Sequence, residues 1–397
     1  MTLTPILPVL PERIGRYRVT ERIGKGAMGS VYAAVDEQLG RNVAVKLMLA
    51  AFEEETELRE RFYREARITG QLAHRNIVTI FDLGEYNNRP YIVMELLEGL
   101  PLNEYLRTDA VPSLDTKLEL MLQVCDGLQN AHQAGVIHRD IKPSNLFVLN
   151  DGTLKVLDFG VARLGASNLT AAGMLLGTPE YMSPEQARGQ KMDARADVFS
   201  AAGLFYFMLA GRPPFGSRDL RNVLHAIISD DPQPLADEEA PEMLRQVLMK
   251  GLAKNPDHRY QQCADMRADL DRVRRTLAVT TARVMQAARD RCQQIFALID
   301  ERRALGRTLA VPDIDASCDD AVLRIQVRFP AFADPSAAAA PMDGVAARAA
   351  LQSLQGRYNA EQGALAALQQ RALDRMAPPP PQRRQGFWRG LLKARNN

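Results

Sequence analysis

The chain has 397 residues, a net charge of +2, 46% hydrophobic and 25% charged content, the balance of an ordinary globular protein with no global attraction to nucleic acid. Four well-separated cysteines (Cys125, Cys263, Cys292, Cys318) form no C-x-x-C pair, which argues against a disulfide framework or a zinc site and suits a reducing cytoplasm. Met1 to Leu10 is apolar but broken by Pro5 and Pro8 and has no basic start, and no run reaches the roughly 18–20 apolar residues of a membrane span, so neither a signal peptide nor a span is expected.

Tyr17 to Ile23 alternates apolar and charged residues and reads as a strand, running into Gly24-Lys25-Gly26-Ala27-Met28-Gly29-Ser30-Val31. Glycines at this spacing let backbone N–H groups approach a triphosphate, although a flexible hairpin turn has the same look. A dinucleotide fold would begin a helix at the third glycine, whereas Ser30 to Val35 is β-rich. Val43-Ala44-Val45-Lys46 reads as an apolar strand ending in a lysine. Glu53 to Leu72 reads as a charged helix whose Phe62, Ile68 and Leu72 are expected to face a core. Its Glu65 lies among Arg59, Arg61, Arg64 and Arg67, where surface pairs are worth little. Ile77 to Leu83 and Pro90 to Met94 read as strands, and Leu102 to Leu106 and Ser113 to Ala134 as helices.

Leu146 to Leu149 and Leu154 to Leu157 flank Asn150-Asp151-Gly152 and read as a β-hairpin. A hairpin brings its ends together, so Asp140, Asn145 and Asp158 can converge at one edge. Oxygen donors clustered that way suit Mg²⁺, which leaves room for phosphate oxygens.

The string His138-Arg139-Asp140-Ile141-Lys142-Pro143-Ser144-Asn145, followed by Asp158-Phe159-Gly160, resembles the catalytic and metal loops of the eukaryotic-type protein kinases, specifically the serine/threonine branch found in bacteria. The resemblance runs from about Tyr17 to Arg275 and implies an α+β, two-lobed protein kinase fold. It implies a tail over 1–16, a small β-rich lobe over 17–97 and a large, mainly helical lobe over 98–275. The implied activity is ATP-dependent phosphorylation of serine and threonine in protein substrates, with Mg²⁺ or Mn²⁺ and autophosphorylation of the activation loop.

Carried over residue by residue, Asp140 orients the substrate hydroxyl and Lys142 stabilises charge on the γ-phosphate, while Asn145 and Asp158 hold metal. Lys46 reaches the phosphates and pairs with Glu65. The nucleotide site then comprises Ile23, Gly24, Gly26, Gly29, Val31, Ala44 and Lys46. Met94 at the back, backbone groups around Glu95 and Leu97, and Phe147 beneath the purine complete it. His138 is expected to pack rather than to transfer protons. Val161 to Met174 reads as a loop with Thr170, then Ser167, as phosphosites facing Arg139, and with Thr178 contacting Asp140 and Lys142. Gly177 to Glu185 resembles the substrate-docking segment, with Ser183 where the family usually has alanine. Glu185 is expected to pair with Arg259, and Asp197 to bond to the catalytic loop. A pseudokinase scaffold is the competing class, and the presence of Lys46, Glu65, Asp140, Asn145 and Asp158 counts against it. The complete docking segment counts against a small-molecule phosphotransferase.

Beyond residue 275 lysine nearly vanishes, and 276–376 reads as a mainly helical extension. Val284, Ala288, Cys292, Ile295 and Ile299 form one helical stripe, and Val322 to Phe329 reads as a short strand. Leu351, Leu354, Tyr358, Leu365, Leu368 and Ala372 fit either a coiled coil, with a homodimer as one consequence, or an antiparallel helical hairpin. The Pro-rich and basic tail, 377–397, carries Phe387, Trp388, Leu391 and Leu392 among arginines. Its open readings are a solvated terminus, a peripheral membrane contact or partner docking through 383–397.

Overall fold

The computed structural model describes residues 10–26, 29–49, 56–108, 112–159, 179–216, 219–333 and 344–376. It divides into two compact units, Met1–Thr276 and Leu277–Asn397.

The first unit begins with a six-stranded antiparallel sheet: β1 (Arg13–Ile14), β2 (Tyr17–Gly26), β3 (Gly29–Asp36), β4 (Arg41–Met48), β5 (Ile80–Tyr86) and β6 (Arg89–Glu95), in the order β1-β2-β3-β4-β6-β5. The period-2 alternation of a strand explains how β4 serves two faces. Val43, Val45 and Leu47 join Ile14, Tyr17, Tyr91 and Val93 in one core, while Met48 packs with Phe62, Ala66 and Ile92 in another. Ala44 and Lys46 share the Met48 face by this alternation. Helix α1 (Thr56–Thr69) buries Phe62, Ala66 and Thr69, spaced i, i+4 and i+7. Ile68, expected in that face, is instead exposed, because six residues past Phe62 the helix has turned away from it.

A three-stranded sheet follows from β7 (Gly99–Pro101), β8 (Leu146–Leu149) and β9 (Leu154–Val156), ordered β7-β8-β9. The β8–β9 hairpin turns at Gly152, whose φ of 81° favours glycine. After the short α2 (Leu102–Tyr105), helix α3 (Leu114–Gln133) starts at Ser113, whose side chain accepts from the Thr116 N–H. It buries Leu118, Met121, Val124, Cys125 and Leu128. Short α4 (Pro184–Ala187) precedes α5 (Arg195–Ala210), which is apolar nearly all round and buried accordingly. Helices α6 (Leu220–Ser229) and α7 (Glu242–Gly251) complete this unit together with the start of α8 (Cys263–Thr308).

The second unit has its own core. Ala288, Cys292, Ile295 and Ile299 of α8 meet Cys318, Ile325 and Phe329 at α9 (Ile314–Arg328), with Phe332 of α10 (Pro330–Ala333) and Leu354 of α11 (Gly344–Met376). The expected strand over Val322 to Phe329 is therefore helix. Cys318, Val322, Ile325 and Phe329 recur at helical spacing and pack inward, while Leu323 and Val327, the other half of the apparent alternation, are exposed. The α11 stripe packs within its own unit: Leu354, Leu365 and Leu368 are buried, and Leu351 and Tyr358 lean on the same core. Among the described residues, no helix is long and apolar enough to cross a membrane.

Candidate active site

Strands β2 and β3, the end of β6 and the β8–β9 hairpin surround a cleft of about 610 Å³. It is lined by Ile23, Gly24, Gly26, Gly29, Val31, Ala44, Lys46, Met94, Glu95, Leu97, Asp140, Lys142, Asn145, Phe147 and Asp158, so every residue expected to touch nucleotide or metal meets there. Gly29 is required by a close approach: a Cβ on it would lie 2.1 Å from the Leu47 carbonyl oxygen.

The string from His138 to Asn145 is held by hydrogen bonds whose partners explain its sequence. Lys142 Nζ donates to Asp140 Oδ2 at 2.7 Å. Asn145 Nδ2 donates to the same Oδ2 at 2.9 Å and to the Asp140 carbonyl at 2.8 Å. Those bonds use the amide nitrogen, which leaves Asn145 Oδ1 as the atom suited to a cation. The Leu157 N–H donates to the Asn145 carbonyl at 2.9 Å, fixing the hairpin's end beside the loop, so Asp158 follows directly. Buried Asp197 accepts from the backbone N–H groups of His138 (2.7 Å) and Arg139 (2.8 Å), and its Oδ2 lies 2.7 Å from His132 Nε2. Burial pushes the Asp197 carboxyl up, but its bonds with His132 and the backbone overrule this and hold it below the usual range. His138 is fully buried, with Nε2 2.7 Å from the Leu157 carbonyl and its ring 4.6 Å from that of Phe159. It has the packing position expected of it.

Lys46 and Glu65 are placed differently from the expectation. Lys46 Nζ donates to Asp158 Oδ1 at 2.6 Å, and Glu65 Oε1 lies 3.8 Å from an Arg139 nitrogen. A Lys46–Glu65 pair is not among the described ion pairs, and Glu65 does not line the cleft. The desolvation of Asp158 raises its pKa, and the Lys46 ammonium overrules this and holds the carboxyl below its ordinary value.

Ser183, buried, accepts from the Gln186 N–H at 3.3 Å and so caps α4. Glu185 and Arg259 form a two-pronged pair, 2.8 Å on each side. Sequence reading missed as cleft lining Gln186, whose side-chain amide donates to the Arg139 carbonyl at 3.0 Å, and also Glu104, Met182 and Met192. Gln186, Glu104 and Met192 carry no motif, whereas Met182 lies within the Gly177–Glu185 segment already singled out. Gly160, the loop with Ser167 and Thr170, and Thr178 lie outside the described residues, as does the 383–397 tail.

A cleft with a glycine-lined roof, a lysine on a half-buried carboxylate and a loop joining Asp140 to Asn145 is the layout of phosphoryl transfer from a nucleotide. Residues 17–268 match the protein kinase domain family. The chain belongs to that family. Over 281 residues it is 40% identical to a probable serine/threonine-protein kinase of Corynebacterium efficiens, covering 68% of this chain and 43% of that one. Over 283 residues it is 40% identical to the serine/threonine-protein kinase PknB of Mycolicibacterium smegmatis, covering 69% and 45%. The match thus spans less than half the length of these relatives. Among solved structures, the Mycobacterium tuberculosis PknI kinase domain aligns with a TM-score of 0.53 at 26% identity, covering 66% of this chain and 99% of that one. The family uses ATP and a divalent metal ion. The donors present fit such a group: Asn145 and Asp158 offer hard oxygens, and two protein ligands leave room for phosphate.

Proposed function

We propose that the chain is a serine/threonine protein kinase that transfers the γ-phosphoryl group of Mg-ATP to hydroxyl groups of protein substrates. The observation that carries this reading is Asp140 Oδ2 receiving both Lys142 Nζ and Asn145 Nδ2 at the floor of the cleft. That places a carboxylate, a cation and a metal-suited amide within one hydrogen-bonded group. Asp140 orients the incoming hydroxyl and accepts its proton, and Lys142 balances negative charge beside it. Lys46 and the glycine-lined strands hold the phosphate chain, and Phe147, Val31 and Ala44 clasp the base. Bound Mg²⁺, held by Asn145 and Asp158, supplies charge neutralisation on the phosphates. Lys142, two residues after Asp140, supports serine and threonine over tyrosine, by the resemblance.

Autophosphorylation at Thr170 or Ser167 and a cytoplasmic location belong to the same proposal. Four free, buried cysteines support a reducing compartment. The purified chain, incubated with γ-labelled ATP, Mg²⁺ and a generic basic protein, should label serine and threonine only. Asp140→Asn should abolish incorporation while leaving the circular dichroism spectrum intact. Equal labelling by the variant, or label on tyrosine, overturns the reading.

A further inference from the structure

We infer that Lys155, outside the cleft lining, is a positioning residue for the nucleotide base, acting through Glu95. This rests on the kinase reading above.

Lys155 lies in β9 between Leu154 and Val156, both fully buried, and is itself only 9% exposed. A lysine so placed is costly unless its charge is paired. Its Nζ donates to Glu95 Oε1 at 2.8 Å and approaches the Ile77 carbonyl at 3.5 Å. Glu95 Oε1 also accepts the Thr79 N–H at 2.7 Å, and the Glu95 N–H donates to the Thr79 carbonyl at 3.0 Å. Glu95 ends β6 and lines the cleft, where, on the kinase reading, its backbone would face the edge of the purine. Side chain and main chain of this one residue are thus both fixed, and among the described residues the only cation paired with it is Lys155.

The other end of the same strand serves the phosphates. The Val156 N–H donates to the Asn76 carbonyl at 2.8 Å, and the Val78 N–H donates to the Val156 carbonyl at 3.0 Å, so β9 is pinned to the segment before β5. Asp158 follows Val156 by two residues. Facing Lys155 across the hairpin is Phe147, its register partner and part of the cleft lining. Lys155 therefore ties the base-reading backbone to the strand that delivers the metal-suited carboxylate. A Glu95 carbonyl held in place accepts the exocyclic amine of adenine and opposes the carbonyl that guanine presents there. Loosening it weakens ATP binding and narrows the preference for ATP over GTP.

The experiment compares wild type, Lys155→Met, Lys155→Arg and Glu95→Gln in full-length protein. Lys155→Met should raise the KM for ATP about tenfold, as for a lost hydrogen bond to a charged group, and change kcat far less. It should also lower the ratio of kcat/KM for ATP over GTP. Lys155→Arg, which keeps the cation, should recover most of both. Loss of packing alone would reduce the amount of folded enzyme and hence apparent kcat, and would not move the ATP/GTP ratio. A wild-type KM and ratio in Lys155→Met overturns the inference. Should that variant not purify, Glu95→Gln decides on the same readouts: a raised KM and narrowed ratio support the inference, and a wild-type profile overturns it. Fluorescent-ATP titration of all four proteins, which needs no turnover, separates the two levels. A wild type that binds ATP but transfers no phosphate removes the proposed activity, and the binding series still judges Lys155.

Discussion

Replacing Glu185 with glutamine tests how the large lobe is held together. All five N–H donors of Arg259 are committed: Nε to the Ala253 carbonyl (2.7 Å), Nη1 to Glu185 Oε1 (2.8 Å) and the Arg195 carbonyl (3.0 Å), Nη2 to Glu185 Oε2 (2.8 Å) and the Lys254 carbonyl (3.0 Å). The Arg259 side chain is fully buried and that of Glu185 is 8% exposed. Glu185→Gln keeps the shape but leaves a buried guanidinium without its counter-charge, which costs about 3–5 kcal/mol. At about 2–4 °C per kcal/mol, the melting temperature should fall by roughly 6–20 °C. The double variant Glu185→Met/Arg259→Met, which removes both charges, should be less destabilised than Glu185→Gln.

The pH dependence follows from the sign of the shift. Burial pushes the Glu185 carboxyl up, the Arg259 bonds overrule it, and the folded value lies below the ordinary one. The stabilisation is therefore fully present above the unfolded pKa of about 4.3 and is lost as pH falls through the lower folded value. Urea unfolding of wild type and Glu185→Gln at several pH values should show a gap that is largest near pH 7 and closes in acid. A gap under 1 kcal/mol (about one ordinary surface substitution) at pH 7, or one that widens in acid, would refute the reasoning.

Further outcomes are expected elsewhere. Ser183→Ala removes the cap of α4 and should cost about 1 kcal/mol in urea unfolding. Gly29→Ala, whose Cβ meets the Leu47 carbonyl at 2.1 Å, should destabilise by about 1–3 kcal/mol. Gly26→Ala, whose Cβ would meet no described residue within 4 Å, should melt like wild type when the two variants are compared by calorimetry. In the second unit Leu354→Ala should cost about 2–5 kcal/mol and Leu323→Ala, at an exposed site, under about 0.5. Equal effects in denaturant titrations would contradict the packing of α9 and α11.

Local signals carried most of what the sequence disclosed. The β8–β9 hairpin and the loop before it lie within about twenty residues, and turn chemistry alone brings Asp140, Asn145 and Asp158 to one edge. The α8 stripe was legible because four core positions recur at helical spacing in a long helix. The eight residues from Val322 satisfy two periods at once, and only burial separates them: Val322, Ile325 and Phe329 go inward while Val327 is 73% exposed. Ion-pair choice was beyond sequence reading for a different reason. Lys46 can answer either of two carboxylates, and which one it meets depends on where α1 stands relative to the hairpin, a matter of packing between distant segments. Lys155 shows the same limit from the other side. In the run Leu154 to Leu157 it looks like an incidental charge in an apolar strand. Only the fold sets its ammonium 2.8 Å from the carboxylate of Glu95, at the edge of the cleft. Motifs mark the groups that touch substrate; the residues that hold those groups in place are chosen by burial and pairing, and burial is what a linear pattern records least.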